Sequence, residues 1–308
     1  MGLFRRRNLS GARVFITGAA SGIGKATALA VAAKGGELFL TDVNDAALAA
    51  TVAEIEAAGG TVRLARAADI SSYEAVQALA ADVHEQVDAV DVVMNIAGIS
   101  TWGRVDRLEH KQWQALIDVN LMGPIHVIEE FIPPMMRARR GGALVNVSSA
   151  AGIAGFPWHV AYSASKFGLR GVSEVLRFDL RRYGIDVCLV CPGAVNTGLV
   201  QTLNVAGIDT SKTSFTKLRD TFVGHAATPA KAAKQIVKGV EHGTYWVYTS
   251  QDIRLMFWLQ RFFEPGYRLL MRVMNDGFVR AIKKSQTPPS SLREQGGTPT
   301  EVDGGSVR

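Results

Sequence analysis

Between residues 13 and 250 the chain alternates short apolar runs with amphipathic stretches of helical length, and few folds accept that alternation. Strand candidates lie at 13–17, 37–41, 62–66, 90–94, 143–147, 185–190 and 245–248; helix candidates lie near 22–34, 44–58, 73–87, 110–138, 160–183 and 229–241. The strand runs are mostly continuous, as expected for strands covered on both faces. Their alternation with helices predicts an α/β fold, a doubly wound parallel sheet. Thr228-Pro229 marks the start of the last helix, with threonine as cap and proline in the first turn. Ligands on such sheets sit beyond the carboxyl ends of the strands, so the residues after each apolar run carry the functional information.

A hydrophobic fraction of 47% in 308 residues is enough for a sizeable core. The net charge of +6 is unevenly placed: Arg5, Arg6, Arg7 and Arg13 crowd the start, and Arg254, Arg261, Arg268, Arg272, Arg280 and Lys283 dominate 251–283. A near-neutral centre with basic ends suits an anionic surface met by those ends and argues against nucleic acid bound across the middle. The basic start runs into "NLSGARVFITG", loop and strand without an apolar stretch of signal length, so the expectation is a cytoplasmic protein. Cys188 and Cys191 are the only cysteines. On a strand, positions three apart face opposite sides, which disfavours a redox pair or half a metal site. The Asn146-Val147-Ser148 sequon lies in a strand read as buried and is discounted. The six histidines are scattered and no metal site is expected; "RARRGG" at 137–142 reads as cations closing a helix. No P-loop, G-x-S-x-G elbow or H-E-x-x-H motif occurs. The organisation predicted is a basic segment over 1–12, one domain over 13–250, a basic amphipathic helical extension over 251–283, and a tail over 284–308 of disordered composition.

The first strand ends in "TGAASGIG". Gly18, Gly22 and Gly24 permit a tight turn and let a pyrophosphate approach backbone N–H groups at a helix N-terminus, as in a Rossmann-like sheet. Asp42 closes the second strand, where an acidic side chain accepts hydrogen bonds from the adenosine ribose and repels a 2′-phosphate. Ser21 and Val43 supply no cation there, which favours NAD over NADP. In "YSASKFG", Tyr162 and Lys166 stand four apart, on one helix face. A tyrosine of ordinary pKa, ~10, is a poor base near neutrality, and a neighbouring cation stabilises its phenolate.

These motifs, together with "DI" at 69–70, "NIAG" at 95–98, Asn120 in "WQALIDVNLMG", "VNVSSAAG" before Ile153 and "CPGAVNT" at 191–197, resemble in content and order the short-chain dehydrogenase/reductase family over roughly residues 10 to 250. The resemblance implies hydride transfer between NAD(H) and a CH–OH/C=O pair, with Tyr162 as acid/base and Lys166 lowering its pKa and holding the nicotinamide ribose. Ser149 matches the substrate-orienting serine, in preference to Ser148 on the opposite strand face, and Asn120 the residue that anchors a relay water. Gly18, Ser21, Gly22, Ile23, Gly24 and Asp42 match phosphate and ribose contacts, and Asp69 and Ile70 the adenine pocket. Asn95, Ala97 and Gly98 match the turn after strand four; Pro192, Gly193, Val195 and Thr197 match the nicotinamide-side loop. The family usually carries a second asparagine where this chain has Ile96. Homodimers or homotetramers are expected.

Trp102, Ile153, Phe156, Trp158 and Leu199 are apolar pocket candidates and favour a hydrophobic secondary alcohol, lipid-, steroid- or retinoid-like, over a sugar or acyl thioester. A non-catalytic NAD sensor would not need the serine, tyrosine and lysine together. His159 reads as a rim residue. The stretch "IRLMFWLQRFFEPGYRLLMRVM" at 253–274 is too interrupted to span a bilayer and breaks at Pro265-Gly266. Arg254, Arg261 and Arg268 recur every seven residues, opposite an apolar face that includes Trp258 and Phe262. Two readings stay open: an interfacial helix on an anionic bilayer, or a helix packed over the active site or across a subunit contact.

Overall fold

In the computed structural model, which describes residues 7–198, 204–206 and 226–282, the apolar runs form one parallel sheet. Its strands are β1 (Arg13–Thr17), β2 (Glu37–Asp42), β3 (Thr61–Ala67), β4 (Val92–Asn95), β6 (Gly142–Val147), β7 (Ile185–Cys191) and β9 (Trp246–Tyr248), in the spatial order β3-β2-β1-β4-β6-β7-β9. The expected strands recur with ends moved by at most two residues. Two short strands without a sequence signal, β5 (Thr101–Trp102) and β8 (Asn204–Val205), pair with each other.

Helices α1 (Gly22–Ala32), α2 (Asp45–Ala57), α3 (Tyr73–Gln86), α4 (His110–Ile117), α5 (Gly123–Ala138), α6 (Val160–Asp179) and α7 (Pro229–His242) fill the connections. Successive strand residues face opposite sides, which sorts the core into two halves. Val14, Ile16, Leu38, Leu40, Val92 and Met94 pack with Ala28 and Val31 of α1, Leu48 and Ile55 of α2, and Ile236 and Val240 of α7. Phe15, Phe39, Val93 and Leu144 pack with Val76, Leu79 and Val83 of α3 and with Val127, Phe131 and Met135 of α5. Side-chain caps start the helices where the sequence placed them: Asn44 accepts from the Ala47 N–H, Ser72 from Ala75 and Thr228 from Lys231.

The helix expected over 110–138 is interrupted. Residues Asp118–Met122 form a π-turn between α4 and α5, a local widening that recurs at functional sites. Cys188 and Cys191 fall in different core clusters, and burial pushes both thiols up to about 12, where no thiolate forms near neutrality. Asn146 is fully buried. Arg140 pairs with Asp88 at 2.6 Å.

Two further helices, α8 (Gln251–Phe262) and α9 (Glu264–Ile282), follow the sheet. The break falls at Phe263, not at Pro265-Gly266, because proline is tolerated in the first turn of a helix and here lies in the first turn of α9. Arg268 therefore lies on a different helix from Arg254 and Arg261, and the single basic stripe does not exist. Among the described residues no helix is long and apolar enough to cross a membrane.

Candidate active site

The chain builds outward from β1 through β2 to β3, returns, and builds the other way from β4. Where the order reverses, the loops after β1 and β4 part and leave a crevice at the strand ends. A cleft of about 430 Å³ opens there. Gly18 has φ +71°, and a Cβ on it would meet the Ala97 backbone at 2.8 Å; a Cβ on Gly24 would lie 1.9 Å from the Gly18 carbonyl oxygen. Only glycine permits these two approaches, and together they bring the N-terminus of α1 bare to the cleft. Thr17 Oγ1 accepts from the N–H groups of Ile96 and Ala97, tying the two switch-point loops together. Asp42 accepts from the Ala20 N–H and the Asn44 N–H, both at 3.0 Å, which orients its carboxylate at the cleft edge. These residues fit a dinucleotide: a cradle without side chains at a helix N-terminus, an acid at the ribose position and apolar Ile70 beyond it.

Of the expected cofactor contacts, Gly18, Ser21, Gly22, Ile23, Gly24, Asp42, Asp69, Ile70, Ala97, Gly98 and Thr197 line the cleft. Asn95 does not; it is buried behind the cleft and donates to Asn146 Oδ1 at 2.9 Å. Pro192, Gly193 and Val195 also lie off it: the Pro192 carbonyl accepts from Ala150, Gly193 donates to Thr249 Oγ1, and Val195 bridges to Ala227. Thr41, Val43, Ala68, Ile96, Ile99, Val119 and Gly198 complete the lining and were missed, although each neighbours a residue that was named. The strand-end rule could have found Thr41, Val43, Ala68, Ile96 and Ile99, whereas Val119 lies in the π-turn and Gly198 seven residues beyond β7.

Near the cleft, α6 presents Tyr162 and Lys166, with Ser149 after β6 facing them. Ser148 turns the other way, its hydroxyl donating to the Lys166 carbonyl at 2.9 Å. Lys166 Nζ donates to the Val147 carbonyl at 3.0 Å and lies 5.9 Å from the centre of the Tyr162 ring. Burial raises the Tyr162 phenol above its ordinary value, and a hydrogen bond with Ser149 works the other way. Burial pushes the Lys166 ammonium down to about 8. Ser149 thus works against burial at the phenol, while the Lys166 ammonium beside the ring is directed at the Val147 carbonyl. Asn120, fully buried in the π-turn, accepts from the Ile99 N–H and donates to the Ile99 carbonyl, both at 2.9 Å, and to Ser165 Oγ at 3.2 Å. Both of its amide hydrogens are engaged by protein.

An aromatic wall adjoins Tyr162. The His159 ring lies 6.3 Å from that of Tyr162, 4.1 Å from Trp102 and 5.9 Å from Phe156. His159 is buried rather than at a rim, because the Gly103–His159 bridge and a 2.7 Å contact from Nδ1 to the Pro157 carbonyl hold it inward. Ile153 is fully buried in the core with Leu189 and Ile253, so it does not line a pocket. Leu199 lies outside the described residues.

The wall is fastened from behind by α9, a role with no local sequence signal. Tyr267 Oη accepts from the Gly155 N–H at 2.8 Å and donates to the Gly155 carbonyl at 3.0 Å. Trp158 donates from its indole to Asn275 at 3.2 Å, and its ring lies 6.1 Å from Phe278.

A model of the short chain dehydrogenase family matches residues 12–206, and the chain belongs to that family. It is an oxidoreductase of CH–OH and C=O groups. A putative oxidoreductase, SadH, of Mycobacterium tuberculosis is 35% identical over 258 residues, covering 83% of this chain and 92% of the relative. A 3beta-hydroxysteroid dehydrogenase of Mediterraneibacter gnavus is 37% identical over 189 residues, covering 61% of this chain and 67% of the relative. Among solved structures, a short chain dehydrogenase/reductase of Burkholderia phymatum in complex with NAD superposes with a TM-score of 0.75 at 29% identity, covering 82% of this chain and 94% of that one.

Proposed function

We propose that the protein interconverts a hydrophobic secondary alcohol and its ketone with NAD(H). The observation that carries this reading is the position of Tyr162 between two environments: Ser149 and Lys166 beside it, and the Trp102–His159–Phe156 wall next to it. The glycine cradle and Asp42 would hold the dinucleotide, which when bound accepts or gives hydride at nicotinamide C4. Ser149 orients the substrate oxygen, and Tyr162 takes the hydroxyl proton during oxidation or returns it during reduction. Lys166 would hold the nicotinamide ribose, and it stays protonated below its value of about 8. With the Asn120 side chain engaged by Ile99 and Ser165, its part in a proton relay falls to its backbone carbonyl. A phenol raised by burial is mostly protonated near neutrality, so oxidation should quicken as pH rises. The steroid-active relative supports an apolar substrate class, and the NAD-bound structural relative supports the cofactor. Assembly into a homodimer or homotetramer belongs to the same reading, supported by exposed Val175 and Phe178 on α6.

The test is NADH formation across secondary alcohols graded from short chains to long-chain and sterol-like ones, with NADP in parallel. Burial of each added methylene should raise kcat/KM about fourfold until the pocket is full, with NAD preferred. Activity that is flat with chain length, or confined to short alcohols, would remove the hydrophobic substrate.

A further inference from the structure

We propose that the outer face of the α8–α9 pair docks on an anionic lipid bilayer. Each helix has two apolar faces, and only the inner one packs against the rest of the described residues. On α8 the inner face buries Ile253 against Gly193 and sets Phe257 with its ring 5.1 Å from Trp246. On α9 it carries Tyr267 and Asn275, which hold Gly155 and Trp158. The outer face of α8 carries Leu255, Trp258 and Phe262, spaced three and four apart and 65%, 52% and 68% exposed. Leu269 and Val273 stand out from α9, four residues apart on one face and 63% and 61% exposed. Five large apolar side chains held in water on adjoining helices form a patch that monomeric soluble surfaces rarely carry without an occupant.

Charge chooses the occupant. Arg268 pairs with Glu264, but Arg254, Arg261, Arg272 and Arg280 have no carboxylate partner among the described residues. A second copy of the chain meeting at this face would add four more such arginines against only Asp252 and Asp276 from each copy, an excess of like charge in the seam. An anionic bilayer accepts both components: the aromatic and aliphatic side chains enter the acyl boundary and the guanidinium groups meet phosphates. The docked face is the back of the helix whose front holds the aromatic wall, so the bilayer would lie about one helix diameter, ~10 Å, from the pocket lining. Delivery of an apolar alcohol from the lipid is the use this suggests, and that use alone rests on the function proposed above.

The test is sedimentation of the full chain with vesicles of equal parts phosphatidylcholine and phosphatidylglycerol, against phosphatidylcholine alone. The wild type should bind the anionic vesicles selectively and be released by salt. Arg254→Gln with Arg261→Gln should weaken binding about fivefold for each charge removed. Trp258→Ser with Phe262→Ser should abolish it, with turnover of a short soluble alcohol unchanged. Equal partition to both vesicle types, or variants that bind like the wild type, would overturn the proposal. Dissociation of a lipid-free oligomer by the same substitutions would give the face to a second copy and overturn it too. A protein that binds vesicles yet oxidises no alcohol would overturn the proposed reaction and leave the docking intact.

Discussion

Trp158 holds a left-handed backbone, φ +67°, that bulky side chains rarely adopt and that costs on the order of 1–3 kcal/mol. Its carbonyl accepts from the Gly103 N–H at 2.7 Å and its indole donates to Asn275, so contacts from two other segments hold the turn that swings His159 inward. Burial pushes the His159 imidazole from 6.5 down to about 4. The fold therefore favours the neutral ring, while the unfolded chain takes up a proton below 6.5. The neutral ring carries no penalty above pH 6.5, and stability is lost as pH falls from 6.5 toward 4, by on the order of 3 kcal/mol. Thermal unfolding across that range should be steeper in pH for the wild type than for His159→Gln; equal slopes would contradict the burial argument. At this scale the glycines, Asp42, Ser149, Tyr162 and Lys166 were legible in the sequence because each is set by local spacing. The burial of His159, the turn at Trp158 and the core position of Ile153 were not, since each depends on segments distant in the chain. Lys166 marks the same limit: the spacing places it beside Tyr162, but its aim at the Val147 carbonyl comes from the packing of α6 on β6.

Helices and strands were largely readable from apolar periodicity and caps, and the departures have physical causes. The π-turn at Asp118–Met122 leaves the periodicity intact while widening one turn, so it is silent in sequence. β5 and β8 are two residues each and exist only by pairing with each other. The extension was read as helical, but its inner face could be assigned only when Tyr267 was seen on Gly155. Tyr267→Phe keeps the ring and removes both hydrogen bonds. It should cost about 1 kcal/mol of stability, because the site is partly open to water. KM for bulky alcohols should rise several-fold while NAD affinity stays unchanged. Titration calorimetry with NAD beside steady-state kinetics separates the two effects; an unchanged KM would mean that α9 does not hold the substrate wall.

Across the whole molecule, the reversal of strand order places the glycine cradle, Asp42 and the β4 turn around one crevice, and α6 brings Tyr162 and Lys166 close to it. The same sheet, continued through β9 into α8 and α9, ties that chemistry to a basic, apolar outer surface. The central claim is that Tyr162 exchanges the proton while the cradle holds NAD independently of it. The most direct measurement is Tyr162→Phe, with NADH formation from the best alcohol and NAD affinity by fluorescence titration read on the same preparation. Turnover should fall by about 10²–10⁴-fold with NAD affinity within a factor of about two, since the cradle is untouched. Turnover that survives within a few-fold would contradict the account.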